Sequence, residues 1–291
     1  MIQGIILKGY SGFYYVFAQD RVWECSLRGR FRIKAQDFFP GDRVKILPAT
    51  EGKASIEEVE ERRNVLTRPS IANVDQALLL FAQTSPKPDY NFLDRLLIQV
   101  SEANIKPVLV VTKIDLEDTS TKEADFFDYY EKIGYEVHRV SNKKGQGLNE
   151  VRTCLKGKIS VLAGQSGVGK SSLVNALSPG LELKTSEVSR KISRGRHTTR
   201  HVELMLCAGG LVADTPGFSA LLLPELKRED LDSYFPEFIP FLGHCRFNSC
   251  LHHKEPDCAI KEAVKIGDVL PFRYEHYLIF LQEVITSERS Y

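Results

Sequence analysis

Two nucleotide-binding signatures stand in this chain in the reverse of their usual order, and that order limits the fold more than any property of composition. Gly164-Gln165-Ser166-Gly167-Val168-Gly169-Lys170-Ser171 matches the phosphate-loop pattern GxxxxGK[ST], with Ser172 directly after it. Thr112-Lys113-Ile114-Asp115, a near copy of the guanine-reading NKxD, lies upstream of that loop instead of downstream. One nucleotide can span both only if the parts of an α/β domain have been cut and rejoined in a new order.

Each part has a chemical reason. The loop glycines let backbone amides turn inward around a β-phosphate, Lys170 brings a compact positive charge, and Ser171 is placed to bind magnesium. Asp115 can accept from both N1 and the exocyclic amine of guanine, a pair of donors adenine does not offer. The stem of Lys113 can lie beneath the base. Thr112 stands where Asn is usual, which removes one amide contact. Ser141-Asn142-Lys143 resembles the accessory SAK loop of guanine sites. Asp214-Thr-Pro-Gly217 follows an apolar strand, so Asp214 can hold a magnesium-bound water and the Gly217 amide can approach a γ-phosphate. Between the loop and this motif, Thr199, with Thr198 beside it, is placed to complete the magnesium shell in a switch. Many GTPases orient the attacking water with a glutamine after DxxG. Position 218 here is Phe, which leaves His197 as the nearest candidate; contact with RNA or solvent is its other reading.

The surrounding chain divides into three expected domains, residues 1–66, 67–222 and 223–291. The first carries five short runs of strand character, 2–7, 13–17, 21–27, 43–47 and 55–59, separated by turns. They fit a small closed barrel of the oligonucleotide-binding or SH3-like type. Residues 60–69 are charged, lack alternation and end in Pro, as a linker would. Buried strands then alternate with amphipathic helices, the pattern of a doubly wound parallel sheet, up to a hairpin over 204–214. From about residue 221 the chain turns helical, and Tyr277, Phe280, Leu281 and Val284 share one helical face.

Lys and Arg total 39 against 38 Asp and Glu, so any attraction to nucleic acid must be local. Arg28 to Lys34 and Lys184 to Arg200 are two such basic stretches, with a solvated charged face as the alternative. The N-terminus lacks the features of a signal peptide, and no apolar run is long enough to span a bilayer, which together suit a cytoplasmic protein with no membrane partner. Cys245, Cys250, His252 and Cys258 offer three thiolates and an imidazole, the donor set of one closed structural zinc, with His244 and His253 as alternatives in register. Cys25, Cys154 and Cys207 are expected to be buried small hydrophobes.

Together these features resemble the circularly permuted GTPases. With the barrel, Asn73-Val-Asp75, Arg196-His-Thr-Thr199 and the cysteine motif, they resemble the ribosome small-subunit-dependent GTPase A family over essentially the whole chain. The resemblance implies a fold of three parts: an OB-like N-terminal barrel, a central circularly permuted P-loop α/β GTPase domain and a C-terminal helical zinc-binding domain. It implies a late assembly factor of the 30S subunit that binds 16S rRNA and hydrolyses GTP to GDP, with Mg2+, when docked; a monomer is expected. Two other readings stand beside it. One is a GTP-dependent RNA-binding module with incidental hydrolysis, which Phe218 favours; the other is an ATP-dependent P-loop kinase, which Asp115 disfavours.

Overall fold

Five strands close into the N-terminal barrel: β1 (Ile2–Tyr10), β2 (Phe13–Ala18), β3 (Arg21–Leu27), β4 (Arg43–Pro48) and β5 (Lys53–Val59), in the order β1-β2-β3-β5-β4. The structure, a computed structural model, describes residues 1–28, 37–49, 52–67, 70–116, 126–178, 202–214 and 223–289. Two units divide the chain: Met1–Pro88 with Ala103–Lys122 and Val137–Ala220, and Asp89–Glu102 with Glu123–Glu136 and Leu221–Tyr291.

In the barrel, Ile6, Val16, Trp23, Val44, Ile46 and Ile56 point inward and are buried. β3 and β5 pair in parallel while the other neighbours are antiparallel, a closure that fits the oligonucleotide-binding type. The segment read as a linker, residues 60–69, contains a strand, β6 (Val65–Thr67), which pairs with β7 (Ser70–Ala72) just after it in a two-stranded ribbon. Asn73 fastens this ribbon to the barrel by donating its amide to the Gly41 carbonyl at 3.0 Å, and Ala72 N donates to Pro40 O at 2.9 Å. A Cβ at Gly41 would stand 1.9 Å from the Ala72 carbonyl oxygen, so only glycine fits there.

The same unit contains a six-stranded sheet in the order β10-β9-β8-β11-β13-β12. Its members are β8 (Gln76–Ala82), β9 (Lys106–Thr112), β10 (Glu136–Arg139), β11 (Ile159–Ala163), β12 (Met205–Cys207) and β13 (Gly210–Asp214). All seven residues of β8 are buried, which explains why it reads as an uninterrupted apolar run.

Six helices are described: α1 (Tyr90–Glu102), α2 (Phe126–Lys132), α3 (Leu148–Leu155), α4 (Lys170–Leu177), α5 (Ala259–Ile266) and α6 (Pro271–Glu288). α3 and α4 share a core with the sheet through Val151, Leu155, Leu173 and Val174.

In the second unit, α1 and α2 group with α5 and α6, although the sequence places them inside the α/β alternation. Ile98, Leu231, Phe238, Ile260, Tyr277 and Phe280 form its core. Arg273, 1% exposed, pairs with Asp94 and with Glu237, and His276 Nδ1 lies 2.6 Å from the second oxygen of Asp94. A buried guanidinium needs such compensation, and two carboxylates supply it. Cys25, Cys154 and Cys207 are buried as expected, and burial pushes the Cys25 thiol up to about 12. Among the described residues no helix is long and apolar enough to cross a membrane.

Candidate functional site

β9, β8, β11 and β13 are parallel neighbours, so the loops leaving their C-terminal ends gather along one edge of the sheet, where open α/β sheets bind ligands. β9 ends in Thr112, β11 in Ala163 and β13 in Asp214, whose backbone pairs with Leu162. The separated signatures thereby arrive on the same edge.

The phosphate loop leaves β11 so close to β8 that a Cβ at Gly164 (φ 139°) would stand 2.2 Å from the Leu80 carbonyl oxygen. Val168 is buried and anchors the loop, while Ser166 and Gly167 are exposed at its rim. Lys170 begins α4, and its ammonium donates to the carbonyls of Gly164 at 2.7 Å and Gln165 at 2.9 Å. The charge is thus held over the loop itself. Ser171 follows half-buried in the first turn of α4, and Ser172 is exposed.

The base-reading loop is bonded directly to this one. Thr112, fully buried, donates its hydroxyl to the Val168 carbonyl at 2.5 Å. Lys113, held at φ 59°, donates from Nζ to Gly167 O at 2.8 Å and Ser85 O at 2.7 Å. Ile114 N lies 3.4 Å from Val140 O, which ties the turn to the end of β10. Asp115 Oδ1 accepts from Ser141 Oγ at 2.6 Å, and that bond holds its carboxyl below the usual carboxylate range. The ionised form, the one that can accept from both guanine donors, is therefore present at neutral pH. Asn142 reaches the Gly169 carbonyl at 3.5 Å, and Lys143 is exposed.

So the structure brings together Thr112, Lys113, Asp115, Ser141 and Asn142 with the Gly164–Ser171 loop. Thr112 is more than the loss of an amide contact: its hydroxyl makes a buried tie to the phosphate loop. Ser171, in the first turn of α4, carries a hydroxyl of the kind magnesium takes, and β13 ends at Asp214 beside the strand that feeds the loop. The side chain of Asp214 and residues His197, Thr198, Thr199 and Gly217 lie outside what is described, as do Phe218, the first basic stretch beyond Arg28 and all of the second. Arg28, at the start of the first stretch, is paired with Glu57.

A second cluster lies in the other unit. Ligand atoms of Cys245, Cys250, His252 and Cys258 all fall within 4.8 Å of one another. Cys245 Sγ is 3.8 Å from Cys258 Sγ, and His252 Nδ1 is 3.5 Å and 3.3 Å from the same two sulfurs. A tetrahedral zinc with bonds of about 2.3 Å to sulfur needs sulfur–sulfur edges of about 3.8 Å, so the spacing fits. His252, and neither His244 nor His253, supplies the imidazole. Its Nε2 lies 3.1 Å from Asp232 Oδ2, which orients the ring with Nδ1 toward the sulfurs. Asp232 has no motif spacing to the cysteines, and sequence reasoning did not find it.

Comparison with known proteins places these features. The family model described as RsgA GTPase matches residues 59–224, and that for the RsgA N-terminal domain matches residues 3–56. A protein of Moorella thermoacetica named small ribosomal subunit biogenesis GTPase RsgA is 50% identical over 291 residues, covering 100% of both chains. One of the same name from Geobacillus thermodenitrificans is 49% identical, with 100% of both chains covered. Among solved structures, YjeQ from Thermotoga maritima superposes with a TM-score of 0.81 at 36% identity, covering 98% of each chain. YloQ, titled a circularly permuted GTPase, gives 0.83 at 39% identity, covering 99% of this chain and 96% of that one.

Proposed function

The chain belongs to the RsgA GTPase family, and from that membership we infer that it hydrolyses GTP to GDP and phosphate in the biogenesis of the small ribosomal subunit. One observation carries the chemistry: the loop holding Asp115 is hydrogen-bonded to the loop holding Lys170, at Thr112–Val168 and Lys113–Gly167. The reading of the protein as an RNA-binding module with incidental hydrolysis is not favoured, since the relatives are named as GTPases.

In this reading Asp115 selects guanine, the amides of the Gly164–Ser171 loop receive the β-phosphate, and Lys170 exchanges its loop carbonyls for phosphate oxygens. Ser171 and Thr199 would hold the magnesium ion, which would supply positive charge against the phosphate oxygens. Water attacks the γ-phosphorus in line, the bond to the GDP oxygen breaks, and the water's proton leaves with the phosphate. Phe218 cannot orient that water, so His197 is assigned the task, and turnover stays slow until docking completes the site. Cys245, Cys250, His252 and Cys258 hold one structural zinc; with four protein donors no position is left for chemistry. The partners are the 30S subunit and its 16S rRNA, met through the barrel by a monomer in the cytoplasm.

Phosphate release measured with and without purified 30S subunits tests this reading. Slow hydrolysis alone and a rise toward the about 10³–10⁵-fold gains seen when a partner completes other GTPase sites is the expected result. Lys170→Ala should abolish both rates. Equal rates with and without subunits would refute the docking-dependent site.

A further inference from the structure

Three consecutive carbonyls of the phosphate loop accept hydrogen bonds from the base-reading side of the site. Gly167 O is met by Lys113 Nζ at 2.8 Å, Val168 O by Thr112 Oγ1 at 2.5 Å, and Gly169 O by Asn142 Nδ2 at 3.5 Å. The carbonyl of one residue and the N–H of the next lie in one planar unit and point opposite ways. Holding these three carbonyls outward therefore aims the N–H groups of Val168, Gly169 and Lys170 inward, the direction from which such a loop grips a phosphate.

The first two ties come from the end of β9. The third comes from a different loop, the one that follows β10. Gly169 O also accepts the opening bond of α4 from Leu173 N at 2.8 Å, so Asn142 bonds the point where loop becomes helix. The approach is close: a Cβ on Gly169 would stand 3.5 Å from Asn142 Nδ2 and 4.0 Å from Thr112 Oγ1. The other end of the amide, Asn142 Oδ1, is buried and has no protein partner. Its neighbour Ser141 is the residue that bonds Asp115 at 2.6 Å. One short loop thus touches the base-reading carboxylate with one residue and the phosphate loop with the next.

Resting on the guanine-nucleotide reading above, we propose that Asn142 is a positioning residue, a third clasp that makes release of the base and loosening of the phosphate loop a single event and so sets the rate at which nucleotide leaves. With the clasp closed, Asp115 cannot swing away with Ser141 unless the Asn142–Gly169 bond breaks too. Removing the clasp lets the accessory loop open on its own.

The test is the release of a fluorescent GDP analogue from the full chain, compared among the unmodified protein, Asn142→Ala and Asn142→Asp. Asn142→Ala should raise the dissociation rate about twofold to fivefold, the lower end for one net hydrogen bond because this one is long, with the association rate unchanged. Asn142→Asp, of the same shape, should release faster still, because a carboxylate would face the Gly169 carbonyl. Melting temperatures without nucleotide should stay within a few degrees of that of the unmodified protein, the scale of one weak hydrogen bond, whereas a general loss of stability would lower them much further. An unchanged release rate in Asn142→Ala, or Asn142→Asp behaving like the unmodified protein, would overturn the clasp. If the unmodified protein shows no preference for GDP over ADP, the guanine reading itself fails; if it prefers GDP while both variants release normally, only the clasp does.

Discussion

Stripping the metal from the Cys245, Cys250, His252 and Cys258 cluster is expected to unfold the segment around it. From Leu242 to Cys258 the chain forms no helix or strand, and what orders it is a set of turns around the four clustered side chains. Without a cation among them the three sulfurs cannot all stay ionised: burial and the neighbouring sulfurs push the Cys250 and Cys258 thiols upward, and the donor set that closes the turns is lost. In small metal-dependent folds the ion contributes about 10–16 kcal/mol of apparent binding free energy at pH 7, all of it lost on chelation. The damage would spread beyond the turns. Tyr277 donates to Leu251 O at 2.9 Å and Tyr274 to His252 O at 2.7 Å, so α6 is held to the cluster by two hydroxyls. Metal analysis should find one zinc per chain. Cys258→Ser should lose it and abolish hydrogen-exchange protection over residues 245–258. Asp232→Asn, which weakens only the orientation of His252, should lower zinc affinity about 10- to 100-fold and leave the fold intact with metal in excess. A purified chain with no zinc and a normal melting transition would defeat the assignment.

Asp115→Asn should exchange one base preference for another. An ionised carboxylate accepts from guanine N1–H and the exocyclic amine together. An amide keeps one acceptor but turns a donor toward that amine, so one bond is lost and one donor–donor clash gained. Sites built around hydrogen bonds reject partners lacking them by factors of about 10⁴–10⁵, and GTP affinity should fall by at least two of those decades. Xanthine, with a carbonyl where guanine has its amine, presents the complement to the new amide. Hydrolysis of xanthosine triphosphate should therefore appear in the variant at a rate near that of GTP in the unmodified protein. Ser141 reinforces the logic, because its hydroxyl donates to Asp115 Oδ1 at 2.6 Å and an asparagine oxygen can still accept that bond. A variant that retained GTP and ignored xanthosine triphosphate would show that position 115 does not read the base.

Much of the site was legible because its chemistry is local. The Gly164–Ser171 loop needs a strand before it and a helix after it, and both appear as apolar patterns in the sequence. The cysteine cluster is spaced closely enough to be read directly. The barrel strands were legible as short apolar-rich runs between turn residues, although burial alternates only in part along β1 and β5. Other features depend on meetings that no local pattern records. Asp232 reaches His252 across twenty positions without any repeat or spacing to mark it. The ribbon of β6 and β7 is held by the side-chain amides of Asn64 and Asn73, and charged residues around it read as a linker. α1 carries a plain amphipathic pattern, yet it groups with the C-terminal segment because Asp94 and Arg95 find Arg273 and Glu283 there. Thr112 was read against a motif letter, whereas its worth lies in a hydroxyl that reaches a carbonyl fifty-six positions away.

Competition for the site by unmodified nucleotides tests the central claim most directly, namely that the Asp115 loop and the Lys170 loop grip opposite ends of one guanine nucleotide. Bound fluorescent GDP should be displaced by GDP and GTP at similar concentrations. Inosine diphosphate, lacking the exocyclic amine, should need roughly tenfold more, and ADP should fail up to about a thousandfold excess. Displacement by ADP as readily as by GDP would mean that the two loops do not serve one guanine site.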